Sequence, residues 1–251
     1  MDNRKLVDVK ETSRETTLCL AAAHALVRLD DGTVVGDPME KTTLETLDWK
    51  LTLGSYTYLY PYSSDSLPII PGDFVSPASS AAPHRTQLVI RRRFQFSSAL
   101  KRMSTISNLP GGKTLVAVKG APETIKGMLA VVPDHYDDTY KWFTRKGSRV
   151  LALGAKEMEP MSVDKVCRIC FNNFVIIFLW WHAQINKLPR ERVESKLMFA
   201  GFLVFHCPLK EDAVETLKML ADSSHRVRPF LSLTWMLLLN SRYIVRYDHG
   251  W

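Results

Sequence analysis

Phe96, Lys101 and Lys119 are the side-chain types that grip a flat, charged small molecule, and they fall in one stretch, 94–123. It runs Phe94-Gln95-Phe96-Ser97-Ser98-Ala99-Leu100-Lys101-Arg102-Met103-Ser104, passes a Pro110-Gly111-Gly112-Lys113 turn, and continues Thr114-Leu115-Val116-Ala117-Val118-Lys119-Gly120-Ala121-Pro122-Glu123. Phe94 and Phe96 alternate with Gln95, and Leu115, Val116 and Val118 are apolar ahead of a Gly-Ala-Pro break. Both halves therefore read as strands, paired in a hairpin. A ring with two cations near it suits an adenine base carrying a phosphate tail. By type alone the same residues have a bland use: an aromatic in a strand packs into a core, and a lysine near a turn stays in water.

Several elements must position these groups. Leu18, Ala21, Ala22 and Ala25 recur at helical spacing and predict a helix over 11–27, with Thr12 or Ser13 as its cap. A turn at Asp30-Asp31-Gly32 leads to Pro38, which suits the first turn of a helix through Glu40, Leu44 and Leu47. Glu40 on that first turn complements the helix dipole. The Tyr-, Ser-, Pro- and Ala-rich stretch 54–83 reads as a loop, because Pro61, Pro68, Pro71, Pro77 and Pro83 interrupt it. Leu88-Val89-Ile90 resumes a strand that passes through Arg91-Arg92-Arg93 to Phe96. Pro122 opens a helix over 123–131 that turns Ile125, Met128 and Leu129 inward, and a further helix lies around 140–144. After a turn at Gly147, Arg149-Val150-Leu151-Ala152-Leu153 reads as a buried strand. A late helix over 213–221 carries a Val214, Leu217, Leu220 stripe, with Asp212 as its cap.

The chain has 251 residues, 46% of them hydrophobic, which is the composition of a folded globular protein and not of a disordered one. A net charge of +7 is spread along the sequence and reads as solvated surface. Arg91-Arg92-Arg93 is the local exception; such a cluster either draws polyanions or blunts a strand edge. Cys19, Cys167, Cys170 and Cys207 are too irregular for a disulfide framework, so a reducing compartment fits. Cys167 and Cys170 have metal-ligand spacing, but His182 alone does not complete a site, and no metal is expected. Met1-Asp2-Asn3-Arg4-Lys5 is no secretory leader, and the apolar run 174–181 falls short of the roughly 20 residues a membrane helix needs. No membrane insertion by this chain is expected.

The exact strings say more than the residue types. Phe96-Ser97-Ser98-Ala99-Leu100-Lys101-Arg102-Met103-Ser104 and Lys119-Gly120-Ala121-Pro122-Glu123 resemble the two signature segments of the nucleotide-binding domain of P-type ATPases. Gly147-Ser148-Arg149-Val150-Leu151-Ala152-Leu153 is a third matching segment. Gly36-Asp37-Pro38-Met39-Glu40-Lys41 and Pro208-Leu209-Lys210 are most similar to the type V branch, the polytopic transporters of the endoplasmic reticulum. The resemblance covers roughly four-fifths of the chain. It implies that ATP is the ligand, with Mg2+ in the intact family. Phe96 would stack on the adenine, Glu40 accept a hydrogen bond from its amino group, Lys101 and Lys119 line the pocket, and Arg149 reach the phosphates. A guanidinium suits that last task because its planar donors meet phosphate oxygens in pairs and it stays charged.

The pattern fails in three places. Residues 166–184 have no counterpart in the family; they read as an extra core strand or as a translated intron, and their composition favours the second. After Arg226-Val227 the chain departs from the Thr-Gly-Asp segment of the family, so the tail reads as out of frame or out of exon. The Asp-Lys-Thr-Gly-Thr string that carries the phosphorylated aspartate is absent, and the chain is expected to begin after it. Asp164-Lys165 is followed by Val166-Cys167 and lies on the wrong side of Lys119 to replace it. Neither a phosphoenzyme nor a complete magnesium site is then expected.

The expected fold is α/β: a twisted, largely antiparallel sheet flanked by helices, followed by part of an α/β phosphorylation domain. The expected organisation is a nucleotide-binding domain over 1–160, an apolar insert at 166–184, the end of the nucleotide domain with a partial phosphorylation domain over 185–227, and a non-family tail at 228–251. The expected function is an ATP-binding module that neither hydrolyses ATP nor transports alone, and whose partner is the remainder of the transporter. The intact family would place it on the cytosolic face of the endoplasmic reticulum; the chain alone would be cytosolic. Two other readings stay open, a basic polyanion-binding protein and a truncated product without function. No nucleic-acid partner is expected.

Overall fold

Between Leu88 and Gly120 the chain makes three strands in succession, because β-branched and small hydroxyl residues follow one another there with turn residues at 98–101 and 109–113. The computed structural model describes residues 6–52, 73–79, 82, 84, 86–110, 113–158, 188–206, 212–223 and 243–247. Its elements in chain order are β1 (Leu6–Val7), a 3-10 turn (Val9–Glu11), α1 (Arg14–Ala22), β2 (Val27–Arg28), β3 (Val34–Val35), α2 (Pro38–Thr46), β4 (Trp49–Thr52), β5 (Asp73–Pro77) and β6 (Leu88–Ser97). They continue with β7 (Arg102–Asn108), β8 (Thr114–Gly120), α3 (Pro122–Lys126), α4 (Tyr136–Arg145), β9 (Arg149–Met158), α5 (Arg190–Val193), β10 (Met198–His206), α6 (Ala213–Asp222) and β11 (Tyr243–Tyr247).

One sheet takes nine of these strands in the order β1-β11-β10-β9-β8-β7-β6-β5-β4, each pair antiparallel. From β4 to β10, neighbours in sequence are neighbours in the sheet. β2 and β3 form a separate hairpin, whose turn uses Gly32 at φ 86°.

Both faces of the sheet are covered, and the alternation along β8 shows how. Leu115 and Ala117 face α1 and α2, where Leu18, Leu26, Leu44 and Leu47 complete one core. Val116 and Val118 face the other way, onto Ile125, Tyr136, Tyr140 and Phe143 of α3 and α4. Tyr136 holds this second core in place by donating its hydroxyl to the Pro122 carbonyl at 2.9 Å. Phe202 packs against it with ring centres 4.7 Å apart. The fold is α/β, an antiparallel sheet flanked by helices, as the sequence predicts.

Particular expectations change. The Phe94–Phe96 segment does not pair with the 115–118 segment; β7 lies between them, with Phe94 opposite Ser104 and Ser104 opposite Val118. β7 escapes a hydrophobic pattern because Ser104, Thr105 and Ser107 fill it, all buried. Pro110 and Lys113 close the β7–β8 connection, where the Leu109 amide donates to the Lys113 carbonyl at 2.8 Å. Part of the predicted loop 54–83 is β5, which completes the ladder between β4 and β6. Tertiary pairing makes a strand there despite Pro77, which sits at the strand's end, where a missing amide is tolerated. α1 stops at Ala22, short of 27, because Val27 and Arg28 leave to pair with β3. α3 ends at Lys126, and Leu129 bridges to Leu197 instead of extending it. The apolar stripe of α6 is exposed, Val214 to 52% and Leu217 to 49%. Tyr243–Tyr247, inside the predicted non-family tail, pairs with β10. The insert 166–184 and its two cysteines lie outside the described residues.

Candidate functional site

Glu40 owes its position to a well-formed helix start. The Asp37 carboxylate accepts from the Met39 amide at 2.7 Å, Pro38 opens the first turn, and Glu40 follows on it. Its carboxylate spans two elements: Oε2 accepts from the Ala25 amide at 2.8 Å, and Oε1 meets Lys119 Nζ at 2.7 Å. The two side chains are only 10% and 14% exposed. Lys119 reaches this position because it shares the α1 face of β8 with Leu115 and Ala117, with Met103 and Leu153 as its cross-strand partners.

Lys101 ends the turn between β6 and β7. Its amide donates to the Ser97 carbonyl at 2.7 Å, its backbone is left-handed at φ 51°, and its side chain is exposed. Its carbonyl oxygen accepts from the Ala121 amide at 2.9 Å. A Cβ on Gly120 would stand 2.5 Å from that oxygen, so the approach requires glycine at this position. The two segments that the sequence singles out are thus joined backbone to backbone.

The orientation of Phe96 follows from a bulge. Ser104 lies opposite Phe94, but Arg102 lies opposite Ser97, so one extra residue sits in β6 between those pairs. Arg102 and Ser104 share the face on which Glu194 bonds both. Gln95 and Phe96 lie within that bulge, and both are exposed. Phe96 is 57% exposed, and its strand lies two strand spacings, about 10 Å, from that of Lys119. Arg149 opens β9 on the same face as Leu153, roughly 13 Å farther along the strand. The structure therefore brings Glu40 and Lys119 into contact, ties the Lys101 turn to the end of β8, leaves Phe96 exposed two strands away, and keeps Arg149 apart at the start of β9.

Sequence reasoning passed over His24 and left the use of the arginine cluster open. His24, just beyond α1, is buried, and its Nδ1 accepts from the Leu26 amide at 3.2 Å. Burial, reinforced by Arg93 and Lys119 nearby, lowers its pKa to about 3. The neutral ring thus carries its proton on Nε2, which has no hydrogen-bond partner among the described residues. Arg93 donates to the His24 carbonyl at 3.1 Å and pairs with Asp73 at 2.5 Å. Arg92 donates to the Leu188 carbonyl at 2.8 Å and lies 4.2 Å from the Phe94 ring centre. The arginine cluster is therefore used inside the fold. Among the described residues no group of three His, Cys, Asp or Glu could hold a metal. By residue type the set suits a nucleotide: an exposed ring, three cations, of which Lys119 is paired with Glu40, and that carboxylate.

No family model matches the chain. Over 224 residues it is 47% identical to the endoplasmic reticulum transmembrane helix translocase of Aspergillus fumigatus, and over 223 residues 44% identical to that of Saccharomyces cerevisiae. It is 36% identical over 221 residues to a probable manganese-transporting ATPase of Arabidopsis thaliana. These matches cover 85%, 89% and 87% of this chain. The chain belongs to the P-type ATPase family. It spans about 15% of the length of these relatives. In this stretch of a P-type ATPase, no helix among the described residues is long and apolar enough to cross a membrane.

Proposed function

We propose that the chain is the ATP-binding module of a translocating P-type ATPase of the endoplasmic reticulum. The observation that carries this reading is the Glu40–Lys119 pair at 2.7 Å, two strands from the exposed Phe96 ring. In this reading Phe96 offers a stacking surface to adenine. Glu40, already holding Lys119 and the Ala25 amide, still has lone pairs free to accept from an exocyclic amino group. Lys101 and Lys119 draw the phosphate tail, and Arg149, farther along, takes its far end. Mg2+ would accompany the phosphates, as in the family.

The proposal concerns binding alone, since the residues that would accept a phosphoryl group are not among the 251 described by the sequence. One ring and a few charge-assisted contacts must offset the cost of association, so the dissociation constant is expected at about 0.1 to 1 mM. Titration of the labelled chain with ATP, followed by NMR, tests the site: amide shifts around residues 40, 101 and 119 are expected in the wild type and absent in Phe96→Ala. Unchanged shifts in Phe96→Ala refute the pocket. Against the polyanion reading stand the contacts of Arg92 with the Leu188 carbonyl and of Arg93 with Asp73 and the His24 carbonyl.

A further inference from the structure

The strands that flank the Lys101 turn are tied together by one buried carboxylate. Glu194, just after α5, is 2% exposed. Its Oε2 accepts from Arg102 Nε at 2.6 Å, and its Oε1 from Arg190 Nε and Ser104 Oγ, both at 2.7 Å. Arg190 continues from this carboxylate to two backbone carbonyls, that of Arg102 at 3.0 Å and, less closely, that of Gln95 at 3.5 Å. Those carbonyls bracket the turn, since Gln95 precedes Phe96 and Arg102 follows Lys101. Gln95 lies where the bulge interrupts the β6–β7 ladder, so the guanidinium takes the place of a missing strand partner. The same guanidinium stands 5.6 Å from the Phe94 ring centre.

A buried ion network returns little net stability compared with apolar packing. What this network does provide is register: a planar fork joins both sides of the bulge, and a carboxylate fixes the fork. We infer that Arg190 and Glu194 are positioning residues for the nucleotide site, clamping β6 and β7 on either side of the turn so that Phe96 and Lys101 are held in their places. The segment 188–197 thereby becomes part of the binding unit although it touches none of the proposed contacts. The inference rests on the ATP-binding reading above.

The test uses the full chain, labelled and titrated with ATP and Mg2+. Arg190→Lys keeps a cation beside Glu194 but removes the fork from both carbonyls. Folded Arg190→Lys is expected to bind ATP more weakly by on the order of tenfold, the usual cost of losing a supporting contact. Amides of residues 96 and 101 are expected to shift before nucleotide is added, while those of β8 and β9 stay in place. Wild-type affinity in the folded variant overturns the inference and leaves the ATP site standing. Should Arg190→Lys not fold, Ser104→Ala removes one donor from the same carboxylate; there a smaller weakening supports the clamp and unchanged affinity overturns it. Absence of ATP shifts in the unsubstituted chain defeats the ATP reading itself, and the clamp with it.

Discussion

Gly120 and Lys101 meet so closely that a single added carbon on Gly120 would stand 2.5 Å from the Lys101 carbonyl oxygen. The neighbouring Ala121 amide needs that oxygen, at 2.9 Å, so the turn cannot simply withdraw. Gly120→Ala is therefore expected to destabilise the fold by about 1–3 kcal/mol, the range for overpacking. Urea unfolding measures it, and a wild-type midpoint in the variant would show that the two backbones are not in contact.

The Glu40–Lys119 pair is mostly shielded from water, so removing one partner leaves a charge with poor solvation. Lys119→Met and Glu40→Gln are each expected to cost about 3 kcal/mol, and the double variant less than their sum. A double-mutant cycle by denaturant unfolding gives the coupling; strict additivity would mean that the side chains do not interact.

His24 makes stability depend on pH in a defined direction. Its folded pKa is about 3 against an ordinary 6.5, so below 6.5 the unfolded chain binds a proton that the folded chain refuses. The contribution is whole above pH 6.5 and falls by about 1.4 kcal/mol per pH unit between there and pH 3. His24→Asn, which keeps an acceptor for the Leu26 amide, is expected to flatten the slope measured by urea unfolding between pH 7 and pH 5. An equal slope in wild type and variant assigns the effect to other groups.

Phe96 separates binding from stability, because a side chain 57% exposed contributes little to the core. Phe96→Ala is expected to change unfolding free energy by less than about 1 kcal/mol while ATP shifts disappear. Raising salt from about 50 to 200 mM should weaken ATP binding only severalfold, whereas a polyanion held by many phosphate contacts would lose about a thousandfold or more. Collapse of ATP binding over that range would point to charge alone.

Much of the fold is legible locally. β8 and β9 read as strands because Leu115, Val116, Val118, Val150 and Leu151 are apolar in runs buried on both faces. The start of α2 reads from Asp37 and Pro38, whose capping chemistry acts within a few residues. β7 was hidden because buried Ser104, Thr105 and Ser107 look polar, and β5 because its ladder partners are β4 and β6 and not its own pattern. The outward face of α6 illustrates the converse: an amphipathic stripe shows that a helix has an apolar side without showing what covers it.

The sequence by itself determined the residue types of the candidate site, the strings that mark the P-type ATPase family, and the helix and strand character of segments whose signals are short-range. Only the tertiary structure decided that Glu40 meets Lys119, that the Lys101 turn closes on Gly120, and that Glu194 holds Arg102 and Arg190. The physical reason is that capping, turn chemistry and apolar period act over a few residues and are written in order along the chain. Contacts between distant residues depend on strand register, and a single bulged residue such as that between Phe94 and Ser97 changes which face a side chain occupies.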